Sequence, residues 1–190
     1  SIRIPASACG TFGMKTSRGR ITHAPAGEPL SGLAVSGPIT RTVRDNAAIL
    51  DAVAGRDPDD SLADLPHERP FLEEVGREPG RLRIGFTDRP PFETPVDEAC
   101  ATAVRETAAL LASLGHDVEE AAPEIDGETI IGTLGGVWAA DNARSVRAIE
   151  RELGRKLGAG DLEETTWELV RYGSHLSGVD LLDALDRKST

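Results

Sequence analysis

The chain begins with a serine, Ser1. A serine hydroxyl attacks a carbonyl only when a base takes its proton and pre-aimed donors meet the oxyanion. Partners for such a serine are few in this sequence. Lys15 is the only lysine near it and reads as a strand-end residue. His23, His67, His116 and His175 are scattered, with no spacing that suggests a triad or a ligand set, and read as surface or turn residues. A free N-terminal amine could itself act as base, as in N-terminal-nucleophile hydrolases, but that reading accounts for the first residue alone. Cys9, beside Gly10, reads as a small packing residue rather than a second nucleophile.

Other constellations give bounds. The stretch IIGTLGGVWAADNARS holds three glycines but lacks both Gly-Lys-Ser/Thr and Gly-x-Gly-x-x-Gly, so it does not read as a phosphate cradle. It reads as a helix of small residues that a neighbour or a substrate can approach closely, with Trp138, Asp141 and Asn142 on its exposed turns as candidate substrate-binding residues. Asp161 to Glu164 (DLEE) suit the first turn of a helix, where negative charge meets the positive end of the dipole. Cys9 and Cys100 lie far apart with no ligand partner nearby, so neither a disulfide framework nor a metal site is expected, and a reducing cytoplasm fits. No cofactor is expected either. A formal charge of −11 opposes nucleic acid and anionic membranes as partners. No apolar run approaches the ~18 residues of a spanning helix, and no basic-then-apolar leader opens the chain. A small-molecule substrate is the expected partner, with a homodimer left open. The excess of arginine, 18 against three lysines, fits a GC-rich bacterial genome.

These residues need elements to hold them. Gly, Pro, Ser and Thr cluster over residues 1–39 between β-prone pieces, TFGM and RGRIT, which predicts short strands joined by turns. Thr40 is a candidate N-cap for a helix over 41–54 with apolar positions Val43, Ala47, Leu50 and Val53, closed by a left-handed Gly55. Arg44 and Asp45 would anchor its start by local pairs. Residues 56–80 read as an exposed connection. The segment RLRIGFT alternates as a strand, a helical period runs from Val96 to Leu114, Gly115 stops it, and HDVEE supplies a second strand. Strand, helix and strand within about 40 residues predict a β-α-β crossover and an α/β fold with a parallel or mixed sheet. Beyond Asp126 the pattern is helical, over 127–153, 161–176 and 178–187.

The opening SIRIPASACGTFG resembles the amidase signature family, whose members carry Gly-Gly-Ser-Ile-Arg-x-Pro-Ala at this point. The likeness continues through MKTSRGRIT and GLAVSGPITRTVRDNAAILDAVAG to the Arg-Ile-Gly strand and covers most of residues 1–120. The resemblance implies that Ser1 is the nucleophile and that its backbone N–H forms part of the oxyanion hole. It places the base, an unprotonated lysine, and a bridging serine in a cis peptide upstream of Ser1. It further implies an α/β/α sandwich around a mixed sheet, of which the chain is a partial domain cut at both ends: an α/β portion over 1–125 and a mostly helical portion over 126–190. The implied activity of the whole protein is hydrolysis of a carboxylic amide through a seryl acyl-enzyme, and the chain alone is expected to be inactive. Arg3 would pair with an upstream acid. Two alternatives stand beside this. One is an amidotransferase-type subunit of the same family, although those usually carry glutamine at the place of Ile4 and Ser-Leu-Asp-Gln where this chain reads GLAVSGPIT. The other is a non-catalytic remnant. The helical second half resembles bacterial amidases of the aminohexanoate cyclic-dimer hydrolase type.

Overall fold

The structure, a computed structural model, describes residues 2–55, 57–58 and 66–187, and the chain folds as two compact units, Ser1–Arg77 and Glu78–Thr190. In the first unit the strand-and-turn reading of residues 1–39 fails at its start, because Arg3–Ala8 form a helix, α1. Pro5 is tolerated since it falls in the first turn, where backbone N–H groups have no helical acceptor. The helix ends in a Schellman motif. Gly10 takes φ 60°, its N–H donates to the Ser7 carbonyl at 3.3 Å, and Thr11 N–H donates to the Ala6 carbonyl at 2.9 Å. Cys9 sits at this cap and is exposed, which corrects its reading as a packing residue.

The returning chain forms β1 (Phe12–Gly13), antiparallel to β2 (Ile39–Thr40) in the register Phe12 to Thr40 and Gly13 to Ile39. Helix α2 spans Val43–Val53. Its N-cap is Thr42, two residues later than expected: Thr42 Oγ1 accepts from Asp45 N–H at 3.0 Å, while Thr40 Oγ1 donates to the Thr42 carbonyl. Ala47 and Leu50 are buried as expected, whereas Val43 and Val53 are exposed. Gly55 has φ 143° but does not cap α2; its N–H donates to the Arg20 carbonyl at 3.1 Å, bridging to the chain at Ile21. Within the predicted connection 56–80 lies a short helix, α3 (Phe71–Glu74), whose first N–H groups at Phe71 and Leu72 donate to the Asp51 carboxylate at 2.6 and 2.9 Å.

In the second unit β3 (Arg83–Phe86) and β4 (Asp117–Glu120) pair in parallel, from Arg83 opposite Asp117 to Phe86 opposite Glu120. Helix α4 (Glu98–Ser113) joins them, capped by Asp97 accepting from Ala99 N–H and stopped by Gly115 at φ 93°. This is the predicted crossover, and the fold is α/β. Helix α5 (Gly127–Leu153) starts at Asp126, whose carboxylate accepts from Thr129 N–H, and ends at left-handed Gly154. Val137, Ala139, Ala143 and Val146 form its buried stripe. It packs on α6 (Glu164–His175) and α7 (Gly178–Arg187). Helix α6 begins only at Glu164, so Asp161 lies before the first turn rather than in it. Helix α7 opens on a reciprocal cap, with Asp180 N–H donating to Ser177 Oγ and Ser177 N–H donating to Asp180 Oδ2.

Candidate active site

Ser1 lies outside the described residues. The residues that follow it are well anchored. Ile2 is buried, with 7% of its surface exposed, and its carbonyl accepts the Ala6 N–H at 3.2 Å to open α1. Its side chain fits against two glycines. A Cβ on Gly13 would stand 3.0 Å from Ile2 Cγ2 and 2.8 Å from Ala6 Cβ; one on Gly37 would stand 2.8 Å from Ile2 Cδ1. These separations are too short for unbonded carbon atoms, so only glycine lets the backbones of β1 and the 36–38 segment approach Ile2 this closely.

The same segment is fixed by polar groups. Buried Thr16 donates from Oγ1 to the Ser36 carbonyl at 2.9 Å, and Asn46 on α2, 1% exposed, donates from Nδ2 to the Pro38 carbonyl at 3.0 Å. His23 Nε2 meets Ser36 Oγ at 3.0 Å. Thus β1 and the 36–38 segment close on Ile2, and α2 holds that segment through Asn46. Gly13, Gly37, Thr16 and Asn46 were not singled out in the sequence. No local signal marks the two glycines: that neither has a positive φ, and so supplies space rather than conformation, shows only in the folded chain.

Lys15 donates from Nζ to the Thr16 carbonyl, an arrangement suited to a structural lysine just beyond β1. The remaining histidines also have local partners. His67 stacks on Phe71, His116 Nδ1 accepts from Leu82 N–H, and His175 Nδ1 donates to the Arg171 carbonyl. Among the described residues no three His, Cys, Asp or Glu side chains are grouped to hold a metal.

Trp138, Asp141 and Asn142 lie on consecutive turns of α5 in the second unit. Trp138 is 57% exposed, and Asn142 Nδ2 donates to the Trp138 carbonyl at 2.9 Å, placing both on one face. Asp141 is engaged elsewhere: its Oδ1 accepts from Arg144 at 2.7 and 3.2 Å. A separate cavity of about 480 Å³ opens beyond the carboxyl ends of β3 and β4, lined by Thr87, Arg89, Glu120 and Ile125 among others, with Arg89 paired to Glu120 at 2.8 Å. None of the three α5 residues lines it. Carboxyl ends of parallel strands are where open α/β sheets collect ligands.

The amidase family matches residues 1–171, and the chain belongs to that family. It is 38% identical over 183 residues to 6-aminohexanoate-cyclic-dimer hydrolase of Paenarthrobacter ureafaciens, covering 94% of this chain and 37% of that protein. A solved structure of 6-aminohexanoate cyclic dimer hydrolase complexed with substrate superposes with a TM-score of 0.86 at 34% identity, over 97% of this chain and 39% of that one. A glutamyl-tRNA(Gln) amidotransferase subunit of Staphylococcus epidermidis is 38% identical over 120 residues, 63% of this chain and 24% of that protein. The chain therefore spans little more than a third of the length of the curated relatives it matches. No helix among the described residues is long and apolar enough to cross a membrane.

Proposed function

We propose that this chain is the nucleophile-bearing part of a longer amidase that hydrolyses the C–N bond of a small cyclic or linear carboxylic amide. The observation that carries the reading is the family match from residue 1, together with SIRIPASACG, in which the serine falls at the family's nucleophile position. Ser1 Oγ adds to the carbonyl as its proton passes to a base, and collapse of the tetrahedral adduct expels the amine and leaves a seryl ester. Water then cleaves the ester to carboxylate and restores the serine. The Ser1 backbone N–H helps hold the oxyanion. Trp138 and Asn142 are the substrate-contacting residues of α5, with Asp141 ordering that helix through Arg144. Lys15 donates to the Thr16 carbonyl, which suits a structural role; the family resemblance puts the base, a lysine, in chain upstream of Ser1, and on that reading the 190 residues alone are inactive.

The test is ring opening of 6-aminohexanoate cyclic dimer, read as a new primary amine, and release of amine or ammonia from simple linear amides, by the longer protein. Turnover by it, loss of turnover in Ser1→Ala and none by the isolated chain are expected. Serine-dependent turnover by the isolated chain would refute the division of labour. A second reading, a transamidating subunit, draws on the likeness to the amidotransferase subunit over 120 residues. Ile4 and GLAVSGPIT depart from that branch, so glutamine-dependent transfer of ammonia to an acceptor is expected to be absent.

A further inference from the structure

We propose that Gly37 and Gly13 are positioning residues for Ser1, acting through the seat they leave for Ile2; this rests on the reading of Ser1 as nucleophile. Neither glycine has a positive φ, so neither is there for a turn. What each supplies is room. At Gly37 a Cβ would meet Ile2 Cδ1 and the Met14 carbonyl oxygen, both at 2.8 Å; at Gly13 it would meet Ala6 Cβ at 2.8 Å and Ile2 Cγ2 and the Ile2 carbonyl oxygen at 3.0 Å. The two glycines thus bound the Ile2 side chain, while Ala6 N–H ties its carbonyl. Ile2 is fixed at both ends with φ −112° and ψ −49°. Ile2 N is bonded directly to the Ser1 carbonyl carbon, so a displacement of Ile2 displaces the point from which the serine is carried. A misplacement of about 1 Å at a reacting atom costs up to about a hundredfold in rate.

The experiment uses the longer amidase, with folded fraction checked by circular dichroism. Gly37→Ala is expected to lower kcat about tenfold to a hundredfold, with KM within about twofold, and to slow phosphonylation of Ser1 by an organophosphonate in parallel. Should Gly37→Ala fail to fold, Ile2→Ala alone empties the seat and is expected to give the same fall in kcat at unchanged KM. Unchanged kcat in whichever of these variants folds overturns the positioning role. Full activity in Ser1→Ala instead overturns the nucleophile reading beneath it, so the two failures are told apart.

Discussion

Asp161 accepts two hydrogen bonds from the Arg155 guanidinium, at 2.7 and 3.1 Å, and a third from Gly158 N–H at 2.9 Å. The Arg155 guanidinium does most to hold its carboxyl down at about 2, and the Gly158 N–H adds to it. Since the folded value lies below the ordinary one near 4, the stability this group contributes is intact above about pH 4 and is lost as pH falls towards 2. A carboxyl ¹³C titration is expected to place the Asp161 midpoint near 2 and, in Arg155→Ala, to move it upward while the Gly158 N–H keeps it below the usual range; a wild-type midpoint near 4 contradicts the geometry. The sequence placed this residue wrongly for a physical reason. A run of acids before a helix suits the dipole equally well whether it lies in the first turn or ahead of it, and the arginine that decides the matter sits six residues back across a bend. Ile2 teaches the same lesson from the other side. Its neighbours Gly13 and Gly37 are 11 and 35 residues away, so the seat is visible only once β1 and β2 are folded.

Elements whose signals are local were legible. Gly115 stops α4 as expected, and α5 ends at Leu153 and α7 begins after Ser177 within the expected ranges; at α2 two threonines lie close enough for either to cap, and Thr42 rather than Thr40 does so. Helix α1 was hidden because six residues are too few to show a period, and Pro5 reads as a breaker until its place in the first turn is known. Packing between elements makes sharper demands. At Gly173 on α6 a Cβ would fall onto the Ala139 carbonyl of α5, so the helices cross at backbone contact. Gly173→Ala is expected to destabilise the second unit by about 1–3 kcal/mol or more, since the obstacle is backbone that cannot rotate away. Gly135→Ala on α5 is the control. A Cβ there meets nothing within 4 Å, so the better helix former is expected to stabilise by roughly 0.5–1 kcal/mol. Urea denaturation of both variants checks the pair, and equal effects would show that α5 and α6 do not meet at Gly173.

For the whole molecule, charge and apolar surface act in opposite directions on self-association. A formal charge of −11 repels copies of the chain from one another. Against this, large apolar side chains face outward in both units: Ile4 is 76% exposed in the first, and Leu182 and Val179 are each 67% exposed in the second. The strands β3 and β4 each have one partner among the described residues, which leaves backbone donors and acceptors along their other sides. The repulsion is long-ranged but is cut to about 8 Å at 0.15 M salt and further above it, whereas burial of apolar surface is not screened. Association of the isolated chain is therefore expected to strengthen as salt rises from about 20 mM to about 0.5 M, with dye binding to apolar surface and a broad thermal transition. The longer amidase, whose remaining chain would cover these faces, is expected to melt sharply and to show neither effect. Sedimentation velocity at the two salt concentrations decides. An isolated chain that stays monomeric in both and unfolds in one sharp step would mean that these apolar faces do not need a covering segment, and that the 190 residues are a self-sufficient fold.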